Sequence, residues 1–345
     1  MIKQQATSFV TVAVAALLVV SNFIAWEVEA RHKHFKRARH SSTDKGGLSV
    51  HFYEESCPMV YNIVREEMQY VVNKDPGQAA GILRIMFHDC FVQGCDASIL
   101  LERPFTELTA SPNNASIRTS SLHLLDNIKE TVEVVCPGVV SCADTIVLAT
   151  AFAIHMVGGP MIYMPTGRRD SIEAANNQTV IDNLPPPTFD ITNLKASFQR
   201  QGLDVKDLVA LSGGHSIGKA HCRAVNRQLT PTISQDLDPK YANKLWKVCL
   251  PTSEADRQSN TVKLDILTQT QFDNAYFRNV LEKRAPFHSD AALLDDPDSA
   301  QLVNEYARDQ QKFFEQFTLS MTKMSKLGVL TGSQGVIRKK CSFLK

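Results

Sequence analysis

Apolar residues recur at helical spacing through most of the chain from Leu48 onward. Val60, Ile63, Val64, Met68 and Val71 fall on one helix face, with Pro58 near the start, where a locked φ and a missing N–H cost least. Ala79 to Cys90 continues the pattern through Ala80, Leu83 and Phe87. Leu122, Leu125, Ile128, Val132 and Val135 predict another helix, ending at Cys136-Pro137-Gly138. Ala143 to Val157 is apolar nearly all round, which predicts a buried central helix stopped by Gly158-Gly159-Pro160. It is too short, and carries Asp144, to cross a bilayer.

Further on, Asp190 to Gln201 reads as a capped helix with Gly202 just beyond its end. Val205, Leu208, Val209 and Leu211 make a short helix before Ser212-Gly213-Gly214-His215. Phe272, Tyr276 and Val280 predict another, and Leu302, Val303, Tyr306, Phe313, Phe317 and Met321 carry the pattern on. Tyr163 to Asp170 reads as a loop, and Leu184-Pro185-Pro186-Pro187 is rigid and extended. Residues 230–270 read as irregular, and no internal repeat stands out. The expected fold class is all-α.

Composition changes this picture mainly at the front of the chain. The 345 residues are 43% hydrophobic and 21% charged, ample for a large core, with a formal net charge of +1. Residues 1–47 hold seven Lys/Arg against three acids, a net of +4 that leaves −3 for the rest, so nucleic acid is not expected as a partner. Phe9 to Trp26 is apolar except at Thr11, Ser21 and Asn22, and Val28-Glu29-Ala30 offers small residues for cleavage. Residues 1–30 are therefore expected to be a secretory signal peptide rather than a retained anchor. Residues 31–47 would be a basic, flexible segment able to bind an anionic polysaccharide, and 48–345 the folded domain.

All eight cysteines, at 57, 90, 95, 136, 142, 222, 249 and 341, lie beyond this leader. An even count behind a signal peptide predicts four disulfides, although spacing alone leaves the pairing open. Asn114-Ala-Ser116 and Asn177-Gln-Thr179 are N-glycosylation sequons that suit the same compartment.

Two stretches carry chemistry. In Arg84-Ile-Met-Phe-His88-Asp89-Cys90-Phe-Val92-Gln-Gly94-Cys95-Asp96-Ala-Ser98, Arg84 and His88 stand four apart and share a helix face. An imidazole beside a permanent cation can take a proton from a bound acid while the cation stabilises the anion formed. Asp89, Gly94, Asp96 and Ser98 offer oxygens that suit a hard cation. The second stretch, Leu211-Ser-Gly-Gly-His215-Ser216-Ile-Gly218-Lys219, presents an imidazole at the end of a helix where the backbone leaves room for something flat. That suits an axial haem ligand. Gly214-x-Ser216-x-Gly218 also matches the nucleophile elbow of α/β-hydrolases, but the strand the elbow needs before it is missing from the pattern.

With both stretches in hand, the chain resembles the secretory plant-type (class III) haem peroxidases from about Leu48 to Cys341. Phe52-Tyr53, Ser56-Cys57-Pro58, Val140-Ser-Cys142-Ala-Asp144, Gly167-Arg168-Arg169-Asp170, Phe272-Asp273-Asn274 and His288-Ser-Asp290 are further landmarks. The resemblance implies two helical halves clasping one haem b. His215 would be the axial iron ligand, with Asp290 accepting its ring N–H. His88 would be the acid/base, Arg84 the transition-state stabiliser, and Asn113 the partner holding the His88 tautomer. Two calcium ions are implied. The distal one would be held by Asp89, Val92, Gly94, Asp96 and Ser98, with Glu107 acting through water. The proximal one would be held by Ser216, Asp265, Thr268, Gln271 and Asp273.

Pro185 matches a substrate-contacting proline, and Asp144 with Arg168 a family ion pair. The family cysteine pairing maps as Cys57–Cys136, Cys90–Cys95, Cys142–Cys341 and Cys222–Cys249. Hydrogen peroxide and phenolic small molecules are the implied partners of a secreted, monomeric enzyme. Four residues follow Cys341, so no extension of the kind associated with vacuolar sorting is expected. The chain departs from the family at Arg118-Thr119-Ser120-Ser121, where Arg-Gly-Phe is usual. It also has Ser216 in place of the commoner Thr, and Leu264 where some members place an aromatic ring against the axial histidine.

Overall fold

The computed structural model describes residues 47–344 apart from 103, 105–106, 226–227, 231, 251–252 and 254–258. The expected leader, and all but the last residue of the basic segment 31–47, lie outside the described residues.

The first half is built from α1 (Val60–Lys74), α2 (Gly77–Val92), α3 (Thr119–Val135) and α4 (Cys142–Met156). Helix α4 packs against the other three and is buried nearly throughout, as its unbroken apolar pattern requires. The Ser141 side chain caps it by accepting from the Asp144 N–H at 3.0 Å. Two internal threonines turn their hydroxyls back to the helix: Thr145 donates to Ser141 O and Thr150 to Ile146 O. That lets polar residues sit in the core without orphaned groups.

Helices α5 (Asn177–Asn183), α6 (Ile191–Arg200) and α7 (Val205–Ser212) follow. Asp190 caps α6 through the Asn193 N–H, and Gly202, at φ 73°, turns the chain away from its end. A full capping box between Asp204 and Asp207 starts α7.

Strand β1 (Lys219–His221) then pairs antiparallel with β2 (Thr261–Lys263), with Ala220 opposite Val262. Between them in sequence lies α8 (Pro239–Cys249). This helix falls inside the stretch that pattern alone marks as irregular. Its start signals are present: Asp238 accepts from the Tyr241 N–H at 2.8 Å, and Pro239 is the first helical residue. Its apolar residues Tyr241, Ala242, Leu245 and Cys249 face a small second core with Ala220 and Leu264, while lysines and an exposed Trp246 interrupt the linear pattern. Helices α9 (Ala275–Leu281), α10 (Pro297–Arg308) and α11 (Gln310–Met324) complete the second half, with α7 packed on α10 and α11. The fold is all-α but for the two short strands, and among the described residues no helix is long and apolar enough to cross a membrane.

Four disulfides fasten these parts: Cys57–Cys136, Cys90–Cys95, Cys142–Cys341 and Cys222–Cys249. They join the same partners as the family pairing, and no cysteine is free. Asp144 and Arg168, both fully buried, form an ion pair at 2.8 Å. The other Asp144 oxygen accepts from the Tyr53 hydroxyl, Gly167 N and Arg168 N, while Arg168 also donates to Pro165 O and Ser325 O. One network thus ties α4 to the 165–168 loop and to the end of α11.

Candidate active site

Helix α2 carries Arg84 and His88 one turn apart, and it faces the single turn Gly213–Ser216 that carries His215. The approach is close. A Cβ at Gly214 would lie 3.3 Å from Leu83 Cδ2, and one at Gly218 would lie 2.9 Å from Ala80 Cβ. Small residues here allow the two stretches to come together from opposite sides of the chain.

On the α2 side, His88 is fully buried and its Nδ1 lies 2.5 Å from Asn113 Oδ1. Asn113 is oriented by its own amide, which donates to Glu107 O at 2.8 Å, so its oxygen must accept from His88. The proton therefore sits on Nδ1, and Nε2 is left as a buried base with no hydrogen-bond partner. Burial, followed by the charge of Arg84, holds the His88 pKa well below its usual value and keeps the imidazole neutral. Arg84 donates to Ser116 Oγ at 3.3 Å, and burial lowers its pKa to about 10, still charged at neutral pH.

The loop after α2 gathers the distal candidate oxygens. Gly94 has φ 127°, and a Cβ there would lie 2.4 Å from Gly328 O, so this position has no room for a side chain. Asp89 Oδ2 accepts from Ala97 N and Asp96 Oδ1 from Ser98 N, while Glu107 Oε2 accepts from Ala175 N. Three other oxygens here, Asp89 Oδ1, Ser98 Oγ and Glu107 Oε1, are buried without hydrogen-bond partners. Burial, then the charge of Asp96, pushes the Asp89 carboxyl well above its usual range. Burial also raises Asp96, and lifts Glu107 to about 7. Orphaned buried acceptors around crowded carboxyls are what a bound hard cation would satisfy.

On the opposite side, His215 Nδ1 lies 2.8 Å from Asp290 Oδ1, which also accepts from the Tyr276 hydroxyl at 2.8 Å. Asp290 sits in a single helical turn, His288–Ala291, and is 2% exposed at its side chain against 28% for His215. The imidazole is thus held from behind by a buried carboxylate and presents its other edge outward. Leu264 leaves no aromatic ring at its position, but Phe287 meets the imidazole edge-on at 5.3 Å and Tyr276 at 6.0 Å.

Ser216, next in sequence, is buried. It donates to Gln271 O at 3.2 Å and accepts from Asp273 N at 3.0 Å. A hydroxyl so engaged, preceded by helix rather than strand, is no nucleophile elbow. Asp265 accepts from Leu267 N, Thr268 N and Asn279 Nδ2, and Thr268 Oγ1 donates to Asp273 Oδ1 at 3.0 Å. The proximal candidates are therefore mutual neighbours that satisfy one another, in contrast to the distal set. Among the described residues no three His, Cys, Asp or Glu side chains form a metal-binding group. Both candidate sets depend on hydroxyl and backbone oxygens as well. Pro185, half-buried, lies in the loop after α5, and Ser289 N donates to Pro187 O to join that loop to the turn bearing Asp290.

Sequence reasoning missed Tyr276, Phe287 and the Glu107 carbonyl. Tyr276 had a signal, but its place in an apolar helical pattern marks its ring as core and hides the hydroxyl.

Comparison with known proteins gives the chain a family. A peroxidase family model matches residues 64–309. Peroxidase 12 of Arabidopsis thaliana is 41% identical over 330 residues, covering 95% of this chain and 89% of that protein. Cationic peroxidase SPC4 of Sorghum bicolor is 42% identical over 300 residues, with 86% and 82% covered. Peroxidase 2 of Cucumis sativus is 43% identical over 299 residues, with 85% and 99% covered. The chain belongs to the plant class III haem peroxidases, which reduce hydrogen peroxide at the expense of phenolic substrates.

Proposed function

We propose that His88, Arg84 and Asn113 form the peroxide-cleaving group, and that His215, backed by Asp290, would hold the haem. The observation that carries this reading is the buried, unpartnered Nε2 of His88 in a fixed tautomer. Haem, held by His215, would supply the iron and the store for two oxidising equivalents. The residues do the rest. His88 Nε2 takes a proton from hydrogen peroxide and, as imidazolium, returns it to the departing oxygen. The Arg84 guanidinium donates hydrogen bonds to the charge that develops as the O–O bond breaks. Asp290, by accepting from His215 Nδ1, makes that imidazole a stronger donor. Two phenols meeting the chain near Pro185 each give up one electron and one proton, so each turnover converts one peroxide to two waters. His215→Ala protein is expected to lose most of its haem and its Soret band. A variant that keeps full haem content would remove His215 from the ligand role.

We propose further that Asp89, Val92, Gly94, Asp96, Ser98 and Glu107 hold one calcium ion, and Ser216, Asp265, Thr268, Gln271 and Asp273 a second. The raised distal carboxyls give this a pH signature. Their folded-state pKa values exceed the unfolded ones, so in cation-free protein the stability they carry is present at low pH. It is lost as pH rises through the folded values, about 7 for Glu107. A cation pairs with the ionised forms, so its stabilisation should grow over that window. Calcium is expected to raise Tm by about 5 °C or more near pH 8 and far less near pH 4.5. Thermal melts with calcium and with chelator at both pH values check this, and equal shifts at both would rule out these carboxylates.

We also propose export to the cell wall with the leader removed near Ala30, supported by the apolar start and the cysteine usage. N-terminal sequencing of wall-extracted protein checks it, and an intact Met1 in a membrane fraction would reverse it.

A further inference from the structure

Ala97 lies between two proposed distal ligands, Asp96 and Ser98, in left-handed backbone at φ 59°, ψ 21°. A residue with a Cβ stays in that region only where its surroundings over-determine it. Two hydrogen bonds do so. Ala97 N donates to Asp89 Oδ2 at 3.1 Å, and Ala97 O accepts from Arg338 Nη2 at 2.6 Å. Arg338 is 241 positions away along the chain and 1% exposed.

Its own anchors are equally buried. The Arg338 backbone N–H donates to Asp170 Oδ2 at 2.9 Å, and Asp170 Oδ1 accepts from Ala143 N at the start of α4. Asp170 also bridges Val336 through backbone bonds at 2.8 and 2.9 Å. Three residues past Arg338, Cys341 is bonded to Cys142 at the first turn of α4. Arg338 Nε lies 3.9 Å from Asp170 Oδ2 in a buried ion pair, but Nε and Nη1 have no hydrogen-bond partner, as is true of Asp89 Oδ1, Ser98 Oγ and Glu107 Oε1.

We infer that Arg338 is a positioning residue for the distal cation: from the 336–341 segment it clamps the Ala97 carbonyl, and so aims Asp96 and Ser98 at a common centre. The inference rests on the calcium reading of that loop and adds a part that none of the ligand positions contains. Charge alone argues the opposite. A guanidinium repels a nearby cation, so if Coulomb forces ruled, removing it would tighten binding. If geometry rules, losing the clamp lets Ala97 leave the left-handed region, the two ligands diverge, and binding weakens. The two effects differ in sign, which makes the question decidable.

The test uses haem-loaded protein carrying Arg338, Arg338→Lys or Arg338→Met, each with and without Asp265→Ala to silence the proximal set. Calcium retained per chain is measured by atomic emission after timed exposure to EGTA, and Tm is measured with and without calcium. Arg338→Met should release the distal ion roughly 10- to 100-fold faster than wild type, the worth of one hydrogen bond from a charged donor. Arg338→Lys, able to give one hydrogen bond from a shorter arm, should fall between, and it carries the test if Arg338→Met does not fold. The rise in Tm on adding calcium should shrink in the same order. Slower or unchanged release would overturn the inference, as would a Tm lowered equally with and without calcium, which marks a scaffold role only. Wild-type protein that holds no calcium would overturn the calcium reading and this inference together.

Discussion

Haem-loaded His88→Leu protein is expected to react with hydrogen peroxide about a hundred to ten thousand times more slowly than wild type, while keeping its haem. The side chain removed is the buried base whose Nε2 has no partner and whose tautomer Asn113 fixes. The His215–Asp290 pair on the opposite side is untouched. A pH signature accompanies the loss. Because burial and Arg84 hold the His88 pKa well below 6.5, the wild-type rate should stay level well into acid and fall only where the imidazolium forms. The Leu variant should lack that fall. Stability moves with the same group: the unfolded chain takes up the His88 proton first, so this residue destabilises the fold as pH drops below about 6.5. Stopped-flow rates across pH check the prediction, and unchanged peroxide kinetics in the variant would defeat the assignment.

Asp144→Ala should be the most damaging single change to the scaffold. It leaves the Arg168 guanidinium buried without its counter-charge, and removes the acceptor used by Tyr53, Gly167 N and Arg168 N. Breaking one side of a fully buried pair costs about 3–5 kcal/mol. For a domain of this size that is a drop of roughly 6–15 °C in Tm. Replacing both partners by apolar residues, as in Asp144→Leu with Arg168→Met, should cost less, because no lone charge remains in the core. Calorimetry of the two variants decides it. A single variant melting within about 2 °C of wild type would mean that this network does not hold the halves together.

The elements with clean periodicity were legible from the sequence, and so was the chemistry that lies within one turn of itself. Arg84 and His88 share a face of α2 because four residues make a turn, and Gly202 ends α6 because glycine tolerates its backbone. What periodicity cannot reach is a partner set by tertiary packing. Asp290 meets His215 across 75 positions, and Arg338 meets Ala97 across 241. The resemblance supplied the first of these and was silent on the second. Helix α8 escaped for a different reason: its apolar face is narrow and its other face is lysine-rich, so a helix serving a small satellite core reads as polar loop.

The disulfide layout also sets an order of events during synthesis. Cys90 and Cys95 are five positions apart and can close as soon as both emerge, whereas Cys142 must wait for Cys341, 199 positions later. At about 5–20 residues per second, Cys142 waits on the order of 10–40 s for its partner. Throughout that interval Cys136, only six positions upstream, is already available, and its proper partner Cys57 has long been made. Early capture of Cys136 by Cys57 therefore guards Cys142 from its nearest wrong partner. A Cys57→Ser chain should accumulate a Cys136–Cys142 crosslink before release from the ribosome, visible by trapping nascent thiols with an alkylating reagent.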